Sequence, residues 1–319
     1  MSIRGESLPV GEPPLPEITL GGVTARIVRA SRTRFDFVVP GEVAGGPQPL
    51  RMAGVPSRRL RLDVGVAVAT GLHQVDRPAI GPDGSLYVTH SGSRDERAPV
   101  SIYRVSEDGG MDPFSNVPNP TSLAVAPDGR LFVSSRFEGV VYRLDAAGSP
   151  VVFASGLGVP FGLVFDGPTL LVGDRTGTIH KVDEAGRAVP FASLPPSVAA
   201  CHLARGPDGD LYATAPTLGP HDQVYRIEST GRVTEAYGGF GRPQGLAFDG
   251  HGRLHVTEAL AGAGAIHRFT EDGRREVVVT GRHLVGVVFD ATDRLLVASS
   301  DTVYRFDGEE AERGPVRAG

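Results

Sequence analysis

The stretch RPQGLAFDGHGRLHVTE, residues 242–258, contains the pattern that decides the fold of this chain. A short apolar run leads into a turn of Asp and Gly residues, and a second run alternates apolar and polar residues up to Glu258. This order is typical of two antiparallel strands joined by a tight turn. The same hairpin pattern returns in RPAIGPDGSLYVTH (77–90), PTSLAVAPDGRLFVSS (120–135), PFGLVFDGPTLLVGD (160–174), ACHLARGPDGDLYATA (200–215) and LVGVVFDATDRLLVAS (284–299).

A second phrase follows each hairpin. It reads IYRVSEDG from Ile102, VYRLDAAG from Val141, IHKVDEAG from Ile179, VYRIESTG from Val224, IHRFTEDG from Ile266 and VYRFDGEE from Val303. Successive copies start 39, 38, 45, 42 and 37 residues apart. A further apolar run, such as SPVVFASG or REVVVTG, gives most units a fourth strand. Four strands in a period of about 40 residues indicate one blade of a β-propeller. We therefore predict an all-β fold with a six-bladed β-propeller over residues 61–310 and a tail at 311–319.

The last unit ends one strand short, and the spare strand RLDVGVAVATGL (61–72) precedes the first unit. Pairing of these two segments would close the ring in a 3+1 arrangement and remove the exposed sheet edge of an open array.

Residues 1–60 do not follow the repeat. Their short strands alternate with Gly and Pro turns, as in a small sandwich, and PEITLGGVTARIVRASRTRFDFVVPGEVAGGPQPLRM resembles an IPT/TIG module, which is immunoglobulin-like. The first strand of that pattern is abbreviated, which fits a chain that begins inside a longer module. The alternative is a strand-rich extension packed on the propeller.

Composition narrows the classes of function. The 319 residues carry a formal charge of −5 with both signs interspersed, so we expect no nucleic-acid or polybasic membrane partner. A single cysteine excludes an internal disulfide. No apolar signal core is visible at the start, which predicts a cytoplasmic protein. We expect its partner to be a small-molecule substrate. The oligomeric state is left open.

Aligning the repeats places polar residues at one mouth of the central channel, where propeller function usually collects. The first inner-strand position holds Asp76, Thr121, Phe161, Cys201, Gln244 and Val285, and the next holds Arg77, Ser122, Gly162, His202, Gly245 and Gly286. The second strands end at His90, Ser135, Asp174, Ala215, Glu258 and Ser299. The loops that follow add Ser91, Arg136, Arg175 and His221.

These positions give the candidate site. We predict acid/base roles for His202, His90, Asp174 and Glu258, and substrate contacts from Arg77, Arg136, Arg175, Cys201, Gln244 and His221. Asp174 and Glu258 could instead cap loop amides. His180, His255 and His267 take aromatic positions of the repeat and are interpreted as packing residues. Cys201 is more readily a buried filler than a nucleophile, because its neighbour His202 must point to the opposite side of the strand.

The phrase RPQGLAFDGHGRLHVTE resembles the NHL repeat, and residues 61–310 resemble the gluconolactonase/regucalcin superfamily of six-bladed propellers. That resemblance implies hydrolysis of lactones or related esters with a divalent metal in the channel, Ca²⁺ or Zn²⁺. The implied ligand positions fall on Asp76, Phe161, Cys201 and Gln244, of which only Asp76 keeps an ionised oxygen. Phe161 cannot ligate a metal, and Ca²⁺ requires six to eight oxygens. Asp76 with Cys201 and His202 could suit a softer ion such as zinc.

Two functions from different classes remain. The first is a hydrolase of lactones or of activated carboxylic or phosphoric esters, in which Arg136 or Arg175 steadies the developing oxyanion. The second is a non-catalytic propeller that binds a small polar ligand or a protein loop. A lyase is a third option, but no His-x-Glu pattern at the channel mouth supports it.

Overall fold

A computed structural model describes residues 2–4, 8–10, 15–55, 60–92, 98–219, 221–259, 264–270 and 272–307. Within these ranges the chain forms strands and turns, with no helix. No part of the described chain therefore offers a helix long and apolar enough to span a bilayer. The expected tail at 311–319 lies outside the described residues.

The N-terminal part contains seven short strands in two sheets. They are β1 (Ser2–Arg4), β2 (Ile18–Leu20), β3 (Val23–Thr24), β4 (Arg26–Ser31), β5 (Arg34–Val38), β6 (Gly46–Met52) and β7 (Arg61–Val64). One sheet has the order β1-β5-β4 and the other β3-β2-β6-β7. Ile18, Phe35 and Phe37 are fully or almost fully buried in a common core with Met52. The arrangement is a small β structure with its own core, and its kinship to IPT/TIG modules stays a prediction.

The strand β8 (Val66–Thr70) follows, and five four-stranded sheets then succeed one another along the chain. The first contains β9 (Ala79–Ile80), β10 (Leu86–Thr89), β11 (Ile102–Val105) and β12 (Met111–Ser115). The second contains β13 (Pro120–Val125), β14 (Leu131–Ser135), β15 (Val140–Leu144) and β16 (Pro150–Ala154). The third contains β17 (Pro160–Asp166), β18 (Thr169–Asp174), β19 (Thr178–Val182) and β20 (Ala188–Ser193). The fourth contains β21 (His202–Arg205), β22 (Leu211–Thr214), β23 (Asp222–Ile227) and β24 (Val233–Phe240). The fifth contains β25 (Pro243–Phe248), β26 (Leu254–Glu258), β27 (Ala265–Phe269) and β28 (Arg275–Thr280).

A sixth sheet joins the two ends of the repeat region. It contains β29 (Leu284–Phe289), β30 (Leu295–Ser299), β31 (Thr302–Phe306) and the early strand β8, in that order. Thr302 lies opposite Thr70 and Val303 opposite Ala69, so the pairing expected from the missing fourth strand is present. Only 66–70 takes part, because residues 61–64 form β7 and pair with β6 of the N-terminal sheet. The expected single strand 61–72 is therefore two strands that belong to different sheets.

The sheets pack face against face around a shared axis, which makes the fold a β-propeller. Each apolar cluster combines residues of two successive sheets; Phe132 and Val141 of the second sheet, for example, pack with Leu163 and Val172 of the third. This explains the near-continuous apolar strands, since both faces of each sheet are covered. The innermost strand of every sheet is its end strand, and successive inner strands are in contact from β9 to β29.

Glycines let the inner strands approach one another closely. A Cβ built on Gly245 would lie 2.7 Å from Cα of Gly286, and one on Gly286 would lie 2.6 Å from Cα of Arg77. Hydroxyl groups connect neighbouring sheets at the same level, since Ser134 donates to the carbonyl of Phe161 at 2.7 Å and Thr214 to that of Gln244 at 2.7 Å. Glycine at 162, 245 and 286 is therefore a steric requirement of the close approach between inner strands.

We expect Gly245→Ala to lower the free energy of unfolding by about 1–3 kcal/mol, because the new methyl group meets backbone atoms that cannot turn away. Gly238→Ala is the matched control, since a Cβ at Gly238 meets nothing within 4 Å and φ is not positive there. Urea unfolding of both variants checks this, and equal stability of the two would contradict the close approach.

Candidate functional site

A hydrogen bond between two side chains, Asp76 and His202, lies in the central channel. Asp76 lies just before the inner strand of the first sheet, and His202 begins the inner strand of the fourth. Nδ1 of His202 lies 2.8 Å from Oδ1 of Asp76. The side chains are almost completely buried, at 2% and 5% exposure. The bond therefore connects the first and fourth of the successive sheets.

The environment of Asp76 favours the carboxylate. Burial by itself would raise the pKa of Asp76, but the charge and hydrogen bond of His202, with contributions from Arg77 and Ser122, hold this pKa below its usual value. The backbone N–H of Arg77 also donates to Oδ1 at 2.7 Å. An ionised carboxylate only accepts hydrogen bonds, so Nδ1 of His202 must be the donor.

This fixes the chemistry available on the other ring nitrogen. In the neutral form of His202, a proton on Nδ1 leaves a lone pair on Nε2. Nε2 is buried and has no hydrogen-bond partner among the described residues. Phe161 stands edge-on to the imidazole with ring centroids 5.7 Å apart. A buried nitrogen that accepts no bond is costly unless a water or ligand reaches it.

Arg77 extends along the channel next to this pair. Its Nη1 donates to the carbonyl of Leu246, on the fifth sheet, at 3.1 Å. Burial lowers the pKa of the Arg77 guanidinium, and the charge of Asp76 only partly offsets that effect. Arg77, Asp76, His202 and Ser122 therefore form one polar cluster in the channel.

Asp174 and Glu258 lie at the ends of second strands as predicted, but their oxygens are engaged in loop contacts. Asp174 accepts from the backbone N–H groups of Val159 at 2.9 Å and Thr176 at 3.1 Å, and from the Thr176 hydroxyl. Glu258 accepts from the backbone N–H of Gly241 and lies 2.6 Å from Nε2 of His267. These contacts favour the capping alternative over an acid/base role, which stays a prediction.

The other predicted residues are spread around the mouth. The rings of His90 and His73 are 6.1 Å apart, and the two residues form a parallel β-bridge. Arg136 donates to the carbonyl of Gly92 at 3.2 Å, and its Cζ lies 4.8 Å from the centre of the Phe137 ring. Burial and the nearby charge of Arg175 both lower the pKa of Arg136. Gln244 is buried near the inner ring, whereas His221 is exposed. None of these residues has a described contact with the Asp76–His202 pair.

Cys201 points away from the channel. Its side chain is fully buried in the cluster of Leu171, Ile179 and Leu203, between the third and fourth sheets. Burial, followed by the charges of Asp174 and Asp76, raises the pKa of the thiol to about 12. A thiol held neutral in an apolar cluster is a poor nucleophile and a poor metal ligand.

The donor set at the implied metal position does not fit a divalent ion. Phe161 contributes only carbon, the Cys201 thiol is buried elsewhere, and Oδ1 of Asp76 already accepts two hydrogen bonds. No group of three His, Cys, Asp or Glu side chains in the described ranges could hold a metal. Gln244 and one remaining carboxylate oxygen fall short of the six ligands that Ca²⁺ requires.

Sequence reasoning missed two partners. Ser122 was recognised only as a ring position, yet it contacts Asp76. His267 was interpreted as packing, yet it forms a buried pair with Glu258. The register could have indicated the second pair, since Glu258 lies opposite Ala265 and His267 is two residues further on the same face.

The sequence matches no protein-family model, and it finds no match among curated proteins. Many solved structures are similar in fold. A gluconolactonase from Xanthomonas campestris has a TM-score of 0.59 at 16% identity, over 74% of this chain and 88% of its own. Virginiamycin B lyase from Staphylococcus aureus has a TM-score of 0.54 at 16% identity, over 74% and 85%. An auxiliary nutrient binding protein from Bacteroides ovatus has a TM-score of 0.58 at 14% identity, over 93% and 91%.

At such identities the likeness establishes the β-propeller fold alone. The same fold carries a gluconolactonase, a lyase and a nutrient-binding protein. Function must therefore be argued from the side chains of this chain's own site.

We expect the Cys201 thiol of the native protein to resist alkylation by iodoacetamide at about pH 8, because both its burial and its raised pKa keep thiolate scarce. The same reagent should label it completely in guanidinium chloride. Mass spectrometry counts the adduct, and rapid labelling without denaturant would show that the thiol faces the channel after all.

Asp76→Asn tests the buried pair through pH. The folded-state pKa of Asp76 is lowered, so its stabilising contribution is present above the unfolded value of about 3.9 and is lost as pH falls through the folded value. We expect the variant to be about 1–3 kcal/mol less stable near neutral pH. The difference should shrink as the pH is lowered below about 4.

Unfolding in urea at a series of pH values measures this difference. Asp128→Asn is the control, because Asp128 pairs with Arg130 on the surface and should contribute little. A wild-type advantage that grows towards acid pH would mean that Asp76 is protonated in the folded protein.

Proposed function

We propose that this chain is a hydrolase of small lactones or activated esters, with His202 as general base and Asp76 as its positioning residue. The observation that carries the proposal is the state of the imidazole. Its Nδ1 lies 2.8 Å from a buried carboxylate, and its Nε2 is buried without a partner among the described residues. An ordered Asp–His pair with a free Nε2 is the arrangement that activates a water molecule.

The proposed reaction uses this nitrogen twice. Nε2 of His202 takes a proton from water as the water oxygen bonds to the lactone carbonyl carbon. The ring C–O bond then breaks, and the departing alkoxide takes the proton back from Nε2. The hydroxy acid that results releases its carboxyl proton to solvent and becomes a hydroxycarboxylate. Asp76 keeps the imidazole in the required tautomer and stabilises its cation between the two steps. No step passes through a metal, because the donor set does not fit one.

The charge at the mouth supports an ester or lactone substrate. Arg136 and Arg175 are close enough for their charges to interact. Guanidinium groups stabilise the oxyanion that develops on the carbonyl oxygen. The burial of His202 restricts the substrate to one narrow enough to enter the channel.

The proposal includes the architecture on which the pair depends. We infer that the six four-stranded sheets from β8 to β31 are the six blades of one closed ring, preceded by a separate N-terminal module that ends at β7. The contact between the first and sixth inner strands at Arg77 and Gly286 supports closure. The immunoglobulin-like identity of the module belongs to the same proposal, as does action on a small molecule in the cytoplasm.

A non-catalytic binding propeller is the second candidate, and a specific observation favours it. His202 and Asp76 are only 1% and 4% exposed, so the bond between them could serve simply to connect opposite sides of the ring. In that case the site would hold a ligand without turning it over.

The two candidates differ in their response to His202→Gln. We expect wild type to hydrolyse members of a panel of five- and six-membered lactones and p-nitrophenyl esters, with or without EDTA. His202→Gln should lower kcat/KM by roughly 100-fold or more, mainly through kcat. Asp76→Asn should also lower kcat while KM stays nearly constant, because the tautomer and not the substrate contact is lost.

His251→Gln is the matched control, since His251 lies exposed in a turn at the opposite face. Turnover that EDTA abolishes, or that survives His202→Gln, would overturn the proposed mechanism. Absence of turnover on every substrate would favour the binding propeller.

A further inference from the structure

A cavity of about 330 Å³ occupies the half of the channel that lies beyond the Asp76–His202 bond. Residues of all six inner strands line it, from Arg77 on the first sheet to Phe289 on the sixth. Asp76, Phe161 and His202 are not among the lining residues, so this space is separate from the mouth. Its volume is in the range of sites for small organic ligands.

The wall of this cavity consists mainly of peptide groups. The apolar side chains of its lining residues turn aside into the clusters between sheets; Ala124 and Phe165 belong to one such cluster, and Ala204 and Phe248 to another. Each inner strand is the end strand of its sheet, so alternate N–H and C=O groups point away from its partner strand and into the channel. The Leu246 carbonyl, which accepts from Arg77, is an example of a peptide group directed inward.

Among the described residues that line the cavity, the charged side chains are those of Arg77 and Arg205, and none is a carboxylate. Arg205, the last residue of β21, is paired with Asp166, the last residue of β17, at 3.0 Å. Arg77 has Asp76 as its nearest counter-charge, and Asp76 is shared with His202. Burial lowers the pKa of Arg77 in spite of that carboxylate, which indicates that its charge is incompletely compensated.

We propose that this cavity binds a small hydroxycarboxylate, with the carboxylate on the Arg77 guanidinium and the hydroxyl groups on the free peptide edges of the inner strands. Carboxylate and guanidinium match in charge and in planar geometry. Hydroxyl groups can both donate to the inward carbonyls and accept from the inward N–H groups. A purely apolar anion would leave those peptide groups without partners and is disfavoured.

The choice of a carboxylate over other anions rests on the proposed function, because hydrolysis of a lactone yields a hydroxycarboxylate. The cavity would then hold the product on the far side of the residues that generate it. Its position next to Asp76 gives a bound anion a direct electrostatic influence on the Asp76–His202 pair through Arg77.

Isothermal titration calorimetry with three six-carbon probes tests the site. D-Gluconate carries both features, sorbitol lacks the carboxylate and hexanoate lacks the hydroxyl groups. We expect gluconate to bind wild type at least about tenfold more tightly than either of the others. Arg77→Gln should weaken gluconate by about tenfold or more, whereas Arg226→Gln, which removes a guanidinium from a surface ion pair, should leave it unchanged.

Because gluconate, sorbitol and hexanoate are compared on the wild-type protein, the test does not depend on whether the Arg77→Gln variant folds. Equal binding of gluconate and sorbitol, no binding of gluconate, or unchanged binding by a folded Arg77→Gln protein would overturn the proposal. Gluconate cannot be hydrolysed further, so this result is separate from the turnover assay. Selective binding of gluconate without lactonase activity would refute the hydrolase and support the hydroxycarboxylate site in the cavity. Lactone turnover without selective binding of gluconate would support the hydrolase and refute the site.

Discussion

The channel exists because the first and last sheets of the repeat region meet, and the pairing of Val66–Thr70 with Thr302–Phe306 is what completes the last one. This contact joins residues more than two hundred positions apart, so its entropic cost is high, and the apolar clusters between the sheets must offset it. It also brings the Arg77 backbone against Gly286. Without that approach Asp76 would not face the fourth sheet, and His202 would have no carboxylate within reach.

The buried carboxylates in the channel differ in where their hydrogen-bond partners come from. Asp174 has the N–H groups and hydroxyl of its own loop, and Glu258 has Gly241 and His267, so these carboxylates are satisfied locally. Asp76 instead depends on His202, which belongs to another sheet. A charge in low dielectric is tolerated only with such partners. The Asp76–His202 pair differs from the buried Glu258–His267 pair because it joins two sheets, whereas Glu258 and His267 belong to one sheet.

The fold was accessible from the sequence because each unit carries its own turn chemistry and its own two-faced apolar strands. The repeated phrase fixes the strand order within every sheet, and the incomplete last unit points to the strand that completes it. The boundary at residues 61–72 was not accessible in the same way. Val64 and Val66 are both compatible with a strand, and only the partner strands, β6 for one and β31 for the other, separate them.

The sequence predicted where along the inner strands the candidate site residues lie, but it did not predict which of their side chains contact one another. Alignment of the units places Asp76, Arg77 and His202 near the start of the inner strands, which is where they lie. Contacts across the channel depend on distances between sheets, and those follow from the packing of whole cores, which no local pattern encodes. The orientation of Cys201 is a similar case. Strand alternation implies that it opposes His202, but only the packed neighbours reveal that its side is the apolar one.

The join between the N-terminal sheets and the ring is a single residue, Gly65, between β7 and β8. A side chain there would collide with Tyr304 and Phe306 of β31, the strand that pairs with β8. A Cβ on residue 65 would lie 2.8 Å and 3.0 Å from their nearest atoms. A force applied to the N-terminal sheets would thus be transmitted through Gly65 directly to the β8–β31 pairing, with no flexible linker in between. A partner that binds the N-terminal sheets would therefore also constrain the strand pair that completes the last sheet.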